Sequence, residues 1–272
     1  MDNGIVTFAD KREYIESAVA LSVTAKKFNS LPVCLITTKD AMPIAVEFQD
    51  YFDKILVLDN AATDFNLIRS LEESPYNKTL FVYSDSIITA DITPVFGLLN
   101  IFKMVFPSAQ DFKGLTVPSD LYDNRKIITK NQLPDIWTSA ILFDKSENTK
   151  RVIARAKHVY SNWQIYKNNI AKEYNLENGL KLAFNTIMSM AVYLEDEPVA
   201  ETAFVFNNLS RQPNNLFIKS SATMDWFSYL GFWVTDESKF KVENYIQQGI
   251  VHLTSAFPAK EYLQRINEVC RR

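Results

Sequence analysis

In the segment KTLFVYSDSIITADI, Lys78 to Ile92, an apolar run of strand-forming residues ends on an aspartate, Asp85, directly after Tyr83 and Ser84. A carboxylate at a strand end is either a turn residue or a hard oxygen ligand for a cation. Softer metal chemistry has little to draw on, because His158 and His252 are the only two histidines and Cys34 and Cys270 the only two cysteines. Any metal must rest mainly on carboxylates and on phosphate. Phosphate-binding and nucleophile loops are also missing. The chain has six glycines and no GxGxxG, GxxxxGK[ST] or GxSxG pattern, which excludes the usual dinucleotide, P-loop and serine-hydrolase devices.

The 272 residues are 47% hydrophobic and 22% charged, enough for a sizeable core in one domain. A net charge of −3 gives no electrostatic reason for non-specific nucleic-acid binding, although a local basic groove is compatible with it. No apolar run reaches the ~20 residues of a membrane helix. MDNGIVTF does not read as a targeting segment, and two distant cysteines suit a reducing compartment, so a cytoplasmic location is expected.

The first half alternates between strand and helix patterns. Strands are predicted at GIVTFA (Gly4–Ala9), LPVCLITT (Leu31–Thr38), KILVLD (Lys54–Asp59) and KTLFVYS (Lys78–Ser84), with helices over Lys11–Phe28, Pro43–Tyr51 and Phe65–Ser74. Near-continuous apolar strands separated by amphipathic helices imply a parallel sheet covered on both faces. Ligands of such sheets sit outside the carboxyl ends of the strands, which singles out Thr7–Asp10 and Tyr83–Asp85. In the second half, helices are predicted over Val95–Val105, Asn148–Lys172, Asn178–Glu195 and Ala259–Arg272. Strands are predicted at Trp137–Asp144 and Gly249–Ser255, and Trp226–Asp236 reads as an aromatic strand or loop. No repeat or linker breaks the chain, so a single domain is expected, with residues 1–92 as a nucleotide-binding half and 93–272 as an acceptor-binding half with a C-terminal helix.

SPYNKTLFVYSDSIITADI, Ser74 to Ile92, resembles the Asp-x-Asp segment of GT-A nucleotide-sugar transferases of the glycogenin-like, retaining kind, in a phage-type form. Asp85 falls on the second motif aspartate, Asp91 on a later one and Lys78 on the basic residue before the strand, whereas Tyr83 stands where the first motif aspartate is expected. The resemblance implies a single GT-A, Rossmann-like α/β domain with a mostly parallel sheet flanked by helices. It also implies a divalent ion, Mn²⁺ or Mg²⁺, on Asp85 and on His252 of GIVHLTSAFPAKEY, neutralising the leaving diphosphate. GIVTFADKREYIESAVALSVTAKK resembles the family's first strand and helix, so Thr7, Phe8 and Ala9 are expected at the nucleotide base and Tyr14 stacked on it.

By the same resemblance Lys78, Tyr83, Ser84 and Lys260 approach the donor's ribose and phosphates. Asn185 and Thr186 of LAFNTIMSMAVYL fall on an Asn-Asp pair that faces the sugar, with Thr186 in place of the Asp. WTSAILFDKSE departs from its counterpart at Trp137 and Ser139. The implied activity is transfer of a sugar from a nucleotide sugar, most simply a UDP-sugar, to an acceptor hydroxyl. A hydroxymethylated base in phage DNA is one candidate acceptor, met by Trp226–Trp233 and the basic Lys150–Lys172 helix; glycan and protein acceptors are others. The departures at Tyr83, Trp137 and Thr186 motivate a rival reading, a catalytically weakened protein that binds a nucleotide sugar or a partner.

Overall fold

A computed structural model describes residues 2–106, 110–111, 133–134, 136–174, 182–198, 200–201, 206–208, 232–234, 240–242 and 245–252. The strands are β1 (Asn3–Phe8), β2 (Val33–Thr38), β3 (Lys54–Leu58), β4 (Lys78–Val82), β5 (Ser86–Ile88), β6 (Met104–Phe106), β7 (Gln110–Asp111), β8 (Ala140–Asp144), β9 (Ala200–Glu201), β10 (Phe206–Asn208), β11 (Phe232–Val234), β12 (Phe240–Val242), β13 (Tyr245–Ile246) and β14 (Ile250–His252). The helices are α1 (Arg12–Phe28), α2 (Met42–Glu47), α3 (Thr63–Glu72), α4 (Glu147–Ser161), α5 (Trp163–Tyr174) and α6 (Phe184–Leu194). Short 3₁₀ turns run over Gln49–Tyr51 and Thr93–Asn100.

The main sheet has seven strands in the order β3-β2-β1-β4-β8-β6-β9. Strands β3, β2, β1 and β4 are parallel, β8 is antiparallel to both β4 and β6, and β9 is parallel to β6. Both halves of the chain therefore share one sheet. The strand side chains alternate between two cores, as the two-residue period of a strand requires. Val6, Phe8, Cys34, Ile36, Phe81, Ile141 and Phe143 pack with α3, α4 and α6 on one face. Ile5, Val33, Leu35, Leu80, Val82, Ala140 and Leu142 pack with α1 and α2 on the other. This two-sided burial is why the strands lack polar alternation, and each buried Val, Leu, Ile or Phe among them contributes roughly 1.5–3 kcal/mol. Gly4 admits the Tyr76 ring against β1, where an added Cβ would come to 2.5 Å of Tyr76 Cδ2.

The first-half elements match the expected pattern within a few residues at their ends. The second half corrects three expectations. The helix read over Asn148–Lys172 is two helices, because at Asn162 the side chain Nδ2 and the backbone N–H both donate to the His158 carbonyl, at 2.9 and 3.0 Å, closing α4. Val95–Val105 is a 3₁₀ turn followed by β6, not a helix. The strand in WTSAILFD begins only at Ala140. Ala259–Arg272 and most of Trp226–Asp236 lie outside the described residues. No helix among the described residues is long and apolar enough to cross a membrane.

A second sheet, β5-β14-β10-β7, is built immediately after Asp85. Strand β5 pairs antiparallel with β14, placing Ser86 opposite His252.

Candidate donor site at the sheet crevice

Strand β1 is flanked by β2 on one side and β4 on the other, so the winding of the sheet reverses between β1 and β4. At that reversal the connections leave in opposite directions and open a crevice beyond the carboxyl ends. A cavity of about 240 Å³ occupies it, lined by Phe8, Ala9, Asp10, Lys11 and Tyr14 from the β1–α1 connection, Thr63 and Leu67 from α3, and Tyr83, Ser84 and Asp85 after β4.

The β1–α1 wall is held rigidly. The Ala9 N–H donates to the Ile36 carbonyl at 3.0 Å, and Thr37 Oγ1 donates to the Ala9 carbonyl at 2.7 Å. Thr63 Oγ1 donates to Asp10 Oδ2 at 2.9 Å, tying α3 to the same wall. Thr7 is fully buried behind it, its Oγ1 without a hydrogen-bond partner among the described residues. Tyr14 is half-buried on the first turn of α1.

On the β4 wall, Asp85 Oδ1 lies 3.0 Å from Nε2 of His252. Both side chains are largely buried, 17% and 8% exposed. The β5–β14 ladder makes the meeting: His252 sits opposite Ser86, the residue after Asp85. Two residues remote in sequence thus converge through one register. A carboxylate oxygen and an imidazole nitrogen at this separation suit neighbouring ligands of one divalent ion, since donors ~2.1 Å from an octahedral centre stand roughly 3 Å apart. No group of three or more His, Cys, Asp and Glu side chains able to hold a metal occurs among the described residues. Asp85 and His252 therefore fit a metal only as two ligands of a shell that phosphate and water complete.

Tyr83 occupies the position where the resemblance implies a carboxylate. Its ring stacks on Phe184 (centroids 6.5 Å, 23°), meets Phe81 edge-on at 6.0 Å and His252 edge-on at 5.7 Å. The hydroxyl is hydrogen-bonded to Thr138, and burial pushes the phenol well above its ordinary pKa of 10.0. The position is filled by a neutral aromatic wedge, and the wedge supports the imidazole of His252 from the side. Its backbone N–H donates to the Ser139 carbonyl at 2.8 Å, so the departure at 139 leaves β4 and the β8 approach joined through main chain.

Phe184 links this cluster to α6. Its N–H donates to Asp64 Oδ1 at 3.1 Å, so a carboxylate from the first turn of α3 caps the start of α6. Burial raises the pKa of Asp64, and the Phe184 hydrogen bond opposes that shift. Asn185 is half-buried, and its Oδ1 accepts from the Thr186 N–H at 2.9 Å. Thr186 is fully buried, with Oγ1 unpartnered among the described residues. Neither residue is in the cavity wall.

Two expectations about charge are corrected. Lys78 opens β4 and pairs in register with Asn3 and Asp144 at the amino edge. At ~3.3 Å per residue it is some 13 Å of strand away from the edge that bears Asp85, too far to join the same anion site. Nor is the α4 part of the Lys150–Lys172 region a free basic face. Lys150 pairs with Glu147, Arg151 and Arg155 with Glu195, and Lys157 with Glu72. Lys260 lies outside the described residues. Sequence reasoning missed Lys11, Thr63, Leu67 and Asp64. Lys11 follows the flagged Thr7–Asp10 segment by one position and was within reach of the strand-end argument. Thr63 and Asp64 open a helix whose approach to the crevice is a tertiary fact.

No family model matches the sequence, and no curated protein matches it by sequence. Solved structures do match in shape. The galactosyltransferase LgtC, in complex with donor and acceptor sugar analogs, superposes with a TM-score of 0.53 at 12% identity, covering 98% of this chain and 96% of that one. Mouse xyloside xylosyltransferase 1, in its apo form, gives a TM-score of 0.52 at 12% identity, covering 93% and 98%. At such identity the likeness is one of fold, and the chain has the GT-A, Rossmann-like fold.

Proposed function

We propose that this chain is a glycosyltransferase that binds a nucleotide sugar in the β1–β4 crevice, most simply a UDP-sugar, and passes the sugar to an acceptor hydroxyl. The observation that carries this reading is that Asp85, in the wall of the cavity that the β1–α1 connection also lines, meets His252 at 3.0 Å. That GT-A neighbours over nearly the whole chain are a galactosyltransferase and a xylosyltransferase supports it.

In this reading Phe8, Ala9 and Tyr14 bound the nucleoside, with Thr7 behind them, and Asp85 and His252 hold a divalent ion, Mn²⁺ or Mg²⁺. When bound, that ion offsets the negative charge that develops on the leaving diphosphate. The sugar's bond to the phosphate oxygen breaks with its electron pair on the diphosphate, a bond to the acceptor oxygen forms, and the acceptor proton is released. Retention of anomeric configuration is part of the proposal. Asn185, half-buried beside Phe184, is the candidate for the sugar's hydroxyls, and Thr186 acts through its N–H on the Asn185 side chain. A carbohydrate or protein hydroxyl is the favoured acceptor over DNA, because the ion pairs of α4 spend the charge that a nucleic acid would need.

A second reading, a nucleotide-sugar binder with little turnover, draws on Tyr83, half-buried, and Thr186, fully buried, both neutral where a transferase of this fold would use carboxylates. Hydrolysis of a panel of UDP-sugars with and without Mn²⁺, in the wild type and Asp85→Ala, separates the two. Metal-dependent release of UDP that vanishes in the variant is the expected result. Binding without release for every donor would establish the second reading instead.

A further inference from the structure

The cavity wall carries one cation, Lys11, and its ammonium makes no ion pair or hydrogen bond with a described residue. Three other cations nearby do pair, Arg12 with Glu47, Lys26 with Asp53 and Lys39 with Asp59. Across the cavity stands Ser84, 6% exposed, whose hydroxyl also has no partner among the described residues. Lys11 is in addition the N-cap of the 17-residue α1 and provides no side-chain cap. The first-turn amides of α1 thus lack a capping oxygen beside the same cavity, at the positive end of the helix dipole.

We propose that Lys11 binds the diphosphate of the donor directly, beside Ser84, which the resemblance already brings to the phosphates, a role that rests on the donor-site reading above. The charges explain the need. With Tyr83 in place of a carboxylate, Asp85 is the one acidic ligand beside His252, so the site captures a divalent ion with one formal charge fewer. Lys11 supplies positive charge that does not depend on the ion, and Ser84 a neutral donor that lets the phosphate approach Asp85. Diphosphate affinity is consequently shared between the protein's own cation and the metal, and part of it survives chelation.

Calorimetric titration of UDP, GDP and ADP, each beside its nucleoside, into wild type, Lys11→Met, Ser84→Ala and Asp85→Asn tests this, with Mn²⁺ and with EDTA. Lys11 is exposed, and equal melting temperatures confirm that its variant folds. In wild type the favoured diphosphate binds under both conditions, more tightly with Mn²⁺. Lys11→Met weakens it about tenfold or more under both, Ser84→Ala several-fold, and the nucleoside changes less than twofold. Asp85→Asn loses the Mn²⁺ increment while keeping the EDTA affinity. Diphosphate affinity unchanged in Lys11→Met, or wild-type binding abolished by EDTA, overturns the inference and leaves the donor-site reading standing. No binding of any nucleoside diphosphate to the wild type overturns both.

Discussion

Nε2 of His252 stands 3.0 Å from Oδ1 of Asp85 because β14 pairs antiparallel with β5 and sets His252 across from Ser86. The register that makes this contact rests on three residue pairs, and a one-residue slip would turn the imidazole to the opposite face. If the pair holds an ion against a leaving diphosphate, each member is needed. Asp85→Asn and His252→Ala are both expected to reduce kcat/KM for nucleotide-sugar turnover at least a hundredfold. The double variant should cost little more than either single one, since residues acting as one unit are not additive. Steady-state kinetics at saturating Mn²⁺ checks this, and independent, additive losses would count against a shared ion.

Tyr83 is the place where introducing the carboxylate that the resemblance implies should fail. Tyr83→Phe keeps the ring among Phe81, Phe184 and His252 and gives up the Thr138 hydrogen bond, a loss of about 1 kcal/mol. Tyr83→Asp would put a charge in that aromatic box, with Asp64 and Asp85 already near enough to raise the phenol's pKa. A loss of ~3 kcal/mol or more is expected. Urea unfolding of the two variants measures both; a stable, more active Tyr83→Asp protein would mean the ring is not a structural wedge.

The sheet was legible because its chemistry is local. Apolar runs such as LPVCLITT cannot be solvated on either face, so they announce a two-sided core, and strand ends at Asp10 and Asp85 follow from that. The residues that meet at those ends were harder to read. His252 was found through resemblance and not through its spacing, because the β5–β14 pairing that delivers it involves strands of three residues each. Lys78 was misplaced for the converse reason: proximity in sequence to Asp85 is distance in space when an extended strand lies between. Asp64 carried no signal at all, since a cap supplied from another helix has no sequence period.

Asp64 gives stability a pH dependence. Burial raises its pKa above the ordinary 3.8, so folding favours the protonated form. Its contribution is full below the ordinary value and is lost as pH rises through the folded one. Asp64→Asn keeps an oxygen for the Phe184 N–H and cannot ionise. Its melting temperature should therefore gain on the wild type as pH goes from below 3.8 towards neutrality, then hold a constant lead. Parallel melting curves across that range would show that Asp64 titrates normally in the fold.

Lys78 is expected to be irrelevant to the donor. It sits at the amino end of β4, beside Asn3 and Asp144. Lys78→Ala should leave nucleotide affinity and kcat within twofold of wild type, measured by calorimetry and donor hydrolysis. A loss of tenfold or more in affinity would require the strand to lie the other way round in the site.

In the proposed function the crevice between β1 and β4 holds a nucleoside diphosphate with Asp85 at its phosphate end. The most direct measurement is titration of UDP in the presence of Mn²⁺ into the wild type and Asp85→Asn, with equal melting temperatures as the control. Saturable one-site binding that weakens tenfold or more in the variant is the predicted result. Failure of the wild type to bind, or equal affinity in the two proteins, would contradict it.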